Sequence, residues 1–172
     1  ASARLRRYAK GALQSNIVPL PPAVMPTTAL APGGLISAAV HRAPVGVVTC
    51  ITSYNFPMTN MAGKIGPALA MGNTVVIKPA PQDPLGVVRM VELMNEAGFP
   101  PGVVNVVTGQ DIAPSEAVVS HPSTDMVSFT GSTGVGRRIG AVCGSPMKRQ
   151  LLEPGGNGAS IGFAVADLAA AR

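Results

Sequence analysis

Residues 128–138, SFTGSTGVGRR, set Gly131, Gly134 and Gly136 between an apolar run and two arginines. Gly131 and Gly136 have the GxxxxG spacing of a phosphate-cradling loop, but Arg137 and Arg138 stand where a nucleotide-triphosphate site needs Lys and Ser or Thr. The GxGxxG dinucleotide spacing is not met either. A glycine turn that ends a strand and opens a helix still leaves unpaired N–H groups at a positive helix end, which suits an anion. Taken alone, the pattern fits a plain strand–helix turn equally well. Three further residues could do chemistry. Lys78 closes the run TVVIK and could be a cleft cation or a surface lysine. Asn55 precedes Phe56-Pro57 and could be an amide donor or a turn asparagine. Glu153 precedes Pro154-Gly155-Gly156 and could be a base or loop surface. Cys50, Cys143, His41 and His121 show no metal-ligand spacing and no disulfide framework, so no metal is expected and a reducing compartment is.

The elements that must position these residues alternate. The apolar run of residues 45–51 predicts a doubly buried strand. A helix follows, with Pro57 at its start and Gly72 at its end. TVVIK is a second strand. The second helix is expected to have Asp83 as its cap, Pro84 in its first turn and Gly98 closing it. GVVNVV (102–107) is a third strand, followed by a weak helix near 115–119. MVSFT (126–130) is a fourth and leads into a helix at 135–143. RQLLE and ASIGFAV are candidates for a fifth and a sixth. This alternation predicts an α/β fold, a parallel sheet with helices on both faces. Such sheets bind ligands beyond the carboxyl ends of their strands.

Residues 1–44 read differently. A short helix is expected at 3–14, followed by a stretch with six prolines. Proline excludes central strands and helix interiors, so edge strands, an extended arm or a surface linker all fit. The division expected is therefore 1–44, helix and Pro-rich arm, and 45–172, ligand-binding domain.

With 172 residues and 47% hydrophobic side chains, the chain can bury a core. Only 3% are aromatic, so that core is built from Val, Ile, Leu, Ala and Met. The net charge of +5 raises nucleic-acid binding as a possibility. A single aromatic, Tyr8, stands within the basic cluster at 4–10, too little for a stacking surface, so a solvated helix face is the better reading. No apolar run reaches the length of a membrane span, and no secretory leader opens the chain. A cytoplasmic location, with no nucleic-acid or membrane partner, is expected. The run ADLAAAR ends without a helix stop, so a longer chain is expected too.

Five ordered stretches then add a resemblance. SYNFP (53–57), KIGPALAMGNTVVIKPAP (64–81), AGFPPGVVNVVTG (97–109), FTGSTGVGR (129–137) and LLEPGG (151–156) resemble the aldehyde dehydrogenase superfamily. The resemblance implies a Rossmann-like cofactor domain that binds NAD or NADP. It implies that Gly131 and Ser132 contact the pyrophosphate, that Val135 packs near the adenine, and that Lys78 bonds ribose hydroxyls beside Ala80 and Pro81. Ile51, Thr52, Ser53 and Tyr54 match the segment lining the cofactor. Asn55 matches the oxyanion-hole amide and Glu153 the general base. A dinucleotide needs neither the P-loop lysine nor its metal-binding hydroxyl, which accounts for Arg137 and Arg138.

The sequence departs from the family at two places. Pro154 replaces a leucine after Glu153, and Pro81 stands where NAD-using members often carry Glu. The resemblance further implies an aldehyde substrate, a homo-oligomer and a nucleophilic cysteine a few tens of residues beyond Glu153. The 172 residues are therefore expected to be a fragment inactive by itself. A non-catalytic dinucleotide-binding or regulatory module is the alternative.

Overall fold

The computed structural model describes residues 43–156. The expected helix at 3–14, the Pro-rich arm and the expected strand at 159–165 lie outside them.

Five strands, β1 (Val47–Ile51), β2 (Thr74–Lys78), β3 (Val104–Val106), β4 (Met126–Gly131) and β5 (Arg149–Pro154), form one sheet in the order β3-β2-β1-β4-β5. All four pairings are parallel. The order reverses between β1 and β4, the two strands whose carboxyl ends carry Ile51 and Gly131. Four helices connect the strands: α1 (Pro57–Ala70), α2 (Leu85–Glu96), α3 (Ala113–Ser120) and α4 (Thr133–Gly144).

Side chains of a strand point alternately to opposite faces, and the two faces bury separate cores. On one, Val48 and Cys50 of β1 and Val75 and Ile77 of β2 meet Met61 and Ile65 of α1 and Val87, Met90 and Met94 of α2. On the other, Ile51, Val127 and Phe129 meet Val119 of α3 and Ile139 and Cys143 of α4. The near absence of aromatics is met by branched and sulfur side chains, each worth about 1.5–3 kcal/mol when fully buried. Asn73 fastens the start of β1. Its Oδ1 accepts from Val45 N at 2.6 Å and Gly46 N at 3.0 Å, while Nδ2 donates to Ala68 O at 2.9 Å.

The expected boundaries need adjusting in several places, among them the start of β1 at Val47 rather than 45 and of α4 at Thr133 rather than 135. Asp83 is not the cap of α2: Pro84 itself occupies that position, in helical geometry and without a side-chain cap bond. Asp83 instead closes a turn, its N donating to Ala80 O at 3.3 Å. Strand β3 has three residues rather than six, because the Pro100–Val103 turn, with Gly102 at φ +85°, consumes its start. Helix α3 runs from Ala113 to Ser120, longer than the 115–119 expected. Gly72 (φ +77°) and Gly98 (φ +91°) end α1 and α2 as expected, in the left-handed conformation that glycine adopts without strain.

Candidate functional site

Parallel pairing brings the carboxyl ends of β1, β2, β4 and β5 to one rim, and two open cavities lie there. The first, about 440 Å3, is lined by Ser53, Tyr54 and Asn55 after β1, by Thr130, Gly131 and Ser132 at the β4–α4 turn, and by Glu153 and Pro154 on β5. The second, about 490 Å3, lies between α3 and α4. Its floor includes Ile51, Lys78 and Pro81, and its walls include Val119 of α3 and Val135 and Ile139 of α4. Ser132 and Lys78 therefore line different cavities. The first turn of α4 joins the two, since Ser132 faces one and Val135 the other. Thr52 and Ala80 are buried and line neither. Thr52 Oγ1 is nevertheless a buried hydroxyl without a hydrogen-bond partner among the described residues.

Ser132 is the N-cap of α4. Its Oγ accepts from Val135 N at 3.4 Å, and its carbonyl accepts from Gly136 N at 2.9 Å. The N–H groups of Thr133 and Gly134 have no partner among the described residues, so two donors stay available at the positive helix end. The glycines have distinct jobs. A Cβ on Gly131 would fall 2.5 Å from Phe129 Cζ, so that glycine makes room for a core ring. Gly134 has nothing within 4 Å and leaves the approach to the free amides open.

Lys78 is 5% exposed and makes no ion pair among the described residues. Burial pushes its ammonium below the usual lysine range. Arg138 and Glu116 pair across the α3–α4 cleft. On β5, Glu153 lies opposite Thr130 in register, and Pro154, opposite Gly131, ends this strand, which is an edge among the described residues, where a missing N–H is tolerated. Extended geometry at Glu153 is therefore what the fold uses, and the carboxylate shares a cavity with Asn55.

Several residues at or behind the site escape a reading of the sequence: Asn60, Lys64, Glu116 and Arg138. Asn60 and Lys64 are polar positions four apart on the apolar helix α1, which is the signal that could have found them. Lys64 is 8% exposed and donates from Nζ to Ser128 Oγ at 3.2 Å. Burial pushes its ammonium down, while the neighbouring Cys50 and Glu153 partly restore it. Cys50 and Cys143 are both fully buried, and burial pushes the Cys50 thiol up to about 12. Neither supplies a thiolate near neutral pH. Among the described residues no cluster could hold a metal ion, and no helix is long and apolar enough to cross a membrane.

A parallel sheet whose order reverses beside a capped helix start defines a Rossmann-like α/β protein. The sequence profile of the aldehyde dehydrogenase family matches residues 23–172, and the chain belongs to that family. It is 50% identical over 130 residues to phenylacetaldehyde dehydrogenase of Pseudomonas fluorescens, covering 76% of this chain and 26% of that protein. It is likewise 50% identical over 136 residues to aldehyde dehydrogenase 1A1 of Mus musculus, covering 78% and 27%. Among solved structures, PnpE from Pseudomonas sp. WBC-3 superposes with a TM-score of 0.77 at 42% identity, over 91% of this chain and 30% of that one. A P. syringae indole-3-acetaldehyde dehydrogenase in complex with NAD+ gives 0.64 at 44% identity, over 66% and 23%. The chain thus spans about a quarter of the length of these curated relatives.

Proposed function

We propose that this chain supplies the cofactor-binding domain, residues 45–172, of an enzyme that oxidises an aldehyde to a carboxylic acid with NAD or NADP. The observation that carries the reading is one cavity lined by both Asn55 and Glu153, whose wall includes Ser132, the N-cap of α4. The residues fit a dinucleotide. Two unpaired N–H groups suit a pyrophosphate, the Lys78 ammonium suits ribose hydroxyls, and the apolar walls between α3 and α4 suit the adenine. Bound there, the nicotinamide ring supplies the hydride acceptor.

The remaining work falls to side chains. Asn55 Nδ2 donates a hydrogen bond to the carbonyl oxygen as it turns negative, a contribution of about 3–4 kcal/mol in comparable acyl-transfer sites. Glu153 accepts the proton of the water that releases the acid. The nucleophilic thiol comes from beyond these residues, in keeping with the burial of Cys50 and Cys143. A homo-oligomer working in the cytoplasm is the assembly we propose for the full-length protein.

Calorimetric titration of the 172-residue chain with NAD and NADP tests the cofactor role. Saturable binding, weakened at least about ten-fold by Lys78→Met, is expected for a charge-assisted contact of about 1.5–3 kcal/mol. No binding of either dinucleotide sinks the reading. Aldehyde turnover by the chain alone would overturn the proposed source of the thiol.

A further inference from the structure

The wall of the cavity holds a chain of hydrogen bonds for which the proposed function gives no role. Asn60, on the first turn of α1, donates from Nδ2 to Ser53 Oγ at 3.1 Å. The Ser53 hydroxyl donates in turn to Asn55 Oδ1 at 2.9 Å. Helix α1 holds the backbone at the origin of this chain, where Asn60 N donates to Phe56 O at 3.0 Å.

A hydroxyl carries one proton. Since Asn60 presents N–H to Ser53 Oγ, that proton is directed onward to Asn55. The two ends of a carboxamide are nearly equal in size, so its hydrogen-bond partners decide which way it faces. With Oδ1 engaged by Ser53, the end of Asn55 left for the cavity is Nδ2, the donor. A flipped amide would turn a carbonyl oxygen toward a developing oxyanion and repel it.

We propose that Ser53 and Asn60 are positioning residues that set the direction of the Asn55 carboxamide, and so give the cavity a donor for an aldehyde oxygen. The inference rests on the reading of Asn55 given under Proposed function.

Asn60→Asp is the decisive variant. A carboxylate only accepts, so the Ser53 proton turns to residue 60 and Ser53 Oγ becomes an acceptor for Asn55 Nδ2. The donor end is then drawn away from the cavity, although side-chain size is preserved. In the full-length protein, kcat with saturating aldehyde is expected to fall about ten-fold in Asn60→Asp and in Ser53→Ala, part of the loss caused by deleting an oxyanion donor outright. The Kd for NAD and the thermal midpoint should not move in Asn60→Asp, since Asn60 lines neither cavity.

A second readout needs no turnover. In the 15N-labelled 172-residue chain, nuclear Overhauser contacts should place the Asn55 Nδ2 protons away from Ser53 in the parent and beside it in Asn60→Asp. Unchanged kcat, or an unchanged amide direction in Asn60→Asp, overturns the inference while leaving the functional reading in place. A full-length parent that oxidises no aldehyde removes the functional reading and takes this inference with it.

Discussion

Gly131 and Gly134 look alike in the sequence but answer to different constraints. Gly131 yields space to the Phe129 ring inside the fold, whereas Gly134 opens outward onto the amides of α4. Gly131→Ala should therefore lower the unfolding free energy by about 1–3 kcal/mol through overpacking. Gly134→Ala should leave it within about 0.5 kcal/mol, and any defect should appear only in dinucleotide titration. Urea unfolding of the two variants separates the cases. Pro81 invites a related measurement. It lines the α3–α4 cleft beside Lys78 without a carboxylate, so the extra phosphate of NADP meets no repulsion from that position. NADP is expected to bind at least as tightly as NAD, with Pro81→Glu shifting the preference to NAD; calorimetry showing a clear NAD preference in the parent would refute this. At this scale the sequence singled out Asn55 before Phe-Pro, and the fold sets that residue in the lining of the rim cavity. The sequence was least informative where a role depends on contact across elements. The bond from Asn60 to Ser53 exists because the chain folds back from β1 into α1, and residue type alone does not announce it.

Helix α1 buries a charge to reach the site. Lys64 takes one hydrogen bond from its surroundings, to Ser128, and loses most of its hydration. Its pKa is depressed by that burial, so the native chain binds fewer protons than the unfolded one once the pH passes the folded-state value. The penalty is full below the folded pKa and fades as pH rises toward the ordinary 10.5. Lys64→Met should accordingly stabilise the chain by about 1 kcal/mol near neutral pH, an advantage that shrinks as pH climbs toward the ordinary lysine value. Urea midpoints of parent and variant across the alkaline range check both sign and window. The elements themselves were readable because doubly buried strands appear as apolar runs, and Pro57, Gly72 and Gly98 punctuate the helices as their backbone preferences require. Errors fell at ends. Asp83 looks like a cap until the ring of Pro84, already helical, takes the position. The shortening of β3 follows from a Pro-Pro-Gly turn whose reach depends on the neighbouring strand.

Considered as a whole, the described chain has an uneven cover. Helices α1 and α2 pack over β1, β2 and β3, while on the same face Met126, Ser128, Arg149 and Leu151 of β4 and β5 border an open groove of about 680 Å3 beside Lys64 and Ala68. Leu151, on the edge strand, is 48% exposed. Apolar surface next to a strand that has one free edge among the described residues favours association, so the 172-residue chain should self-associate as its concentration rises, and light scattering from a clean monomer at high concentration would contradict this. Pro154 bears on how any such contact can form. The Arg149 amide already donates to Asp125 O at 3.1 Å on the β4 side, so by strand alternation a backbone that docks along β5 finds the amide hydrogens of Gln150 and Leu152, then at Pro154 an imide nitrogen with none to offer. Pairing along β5 is therefore expected to lose a donor one residue past the carboxylate, beside the rim cavity.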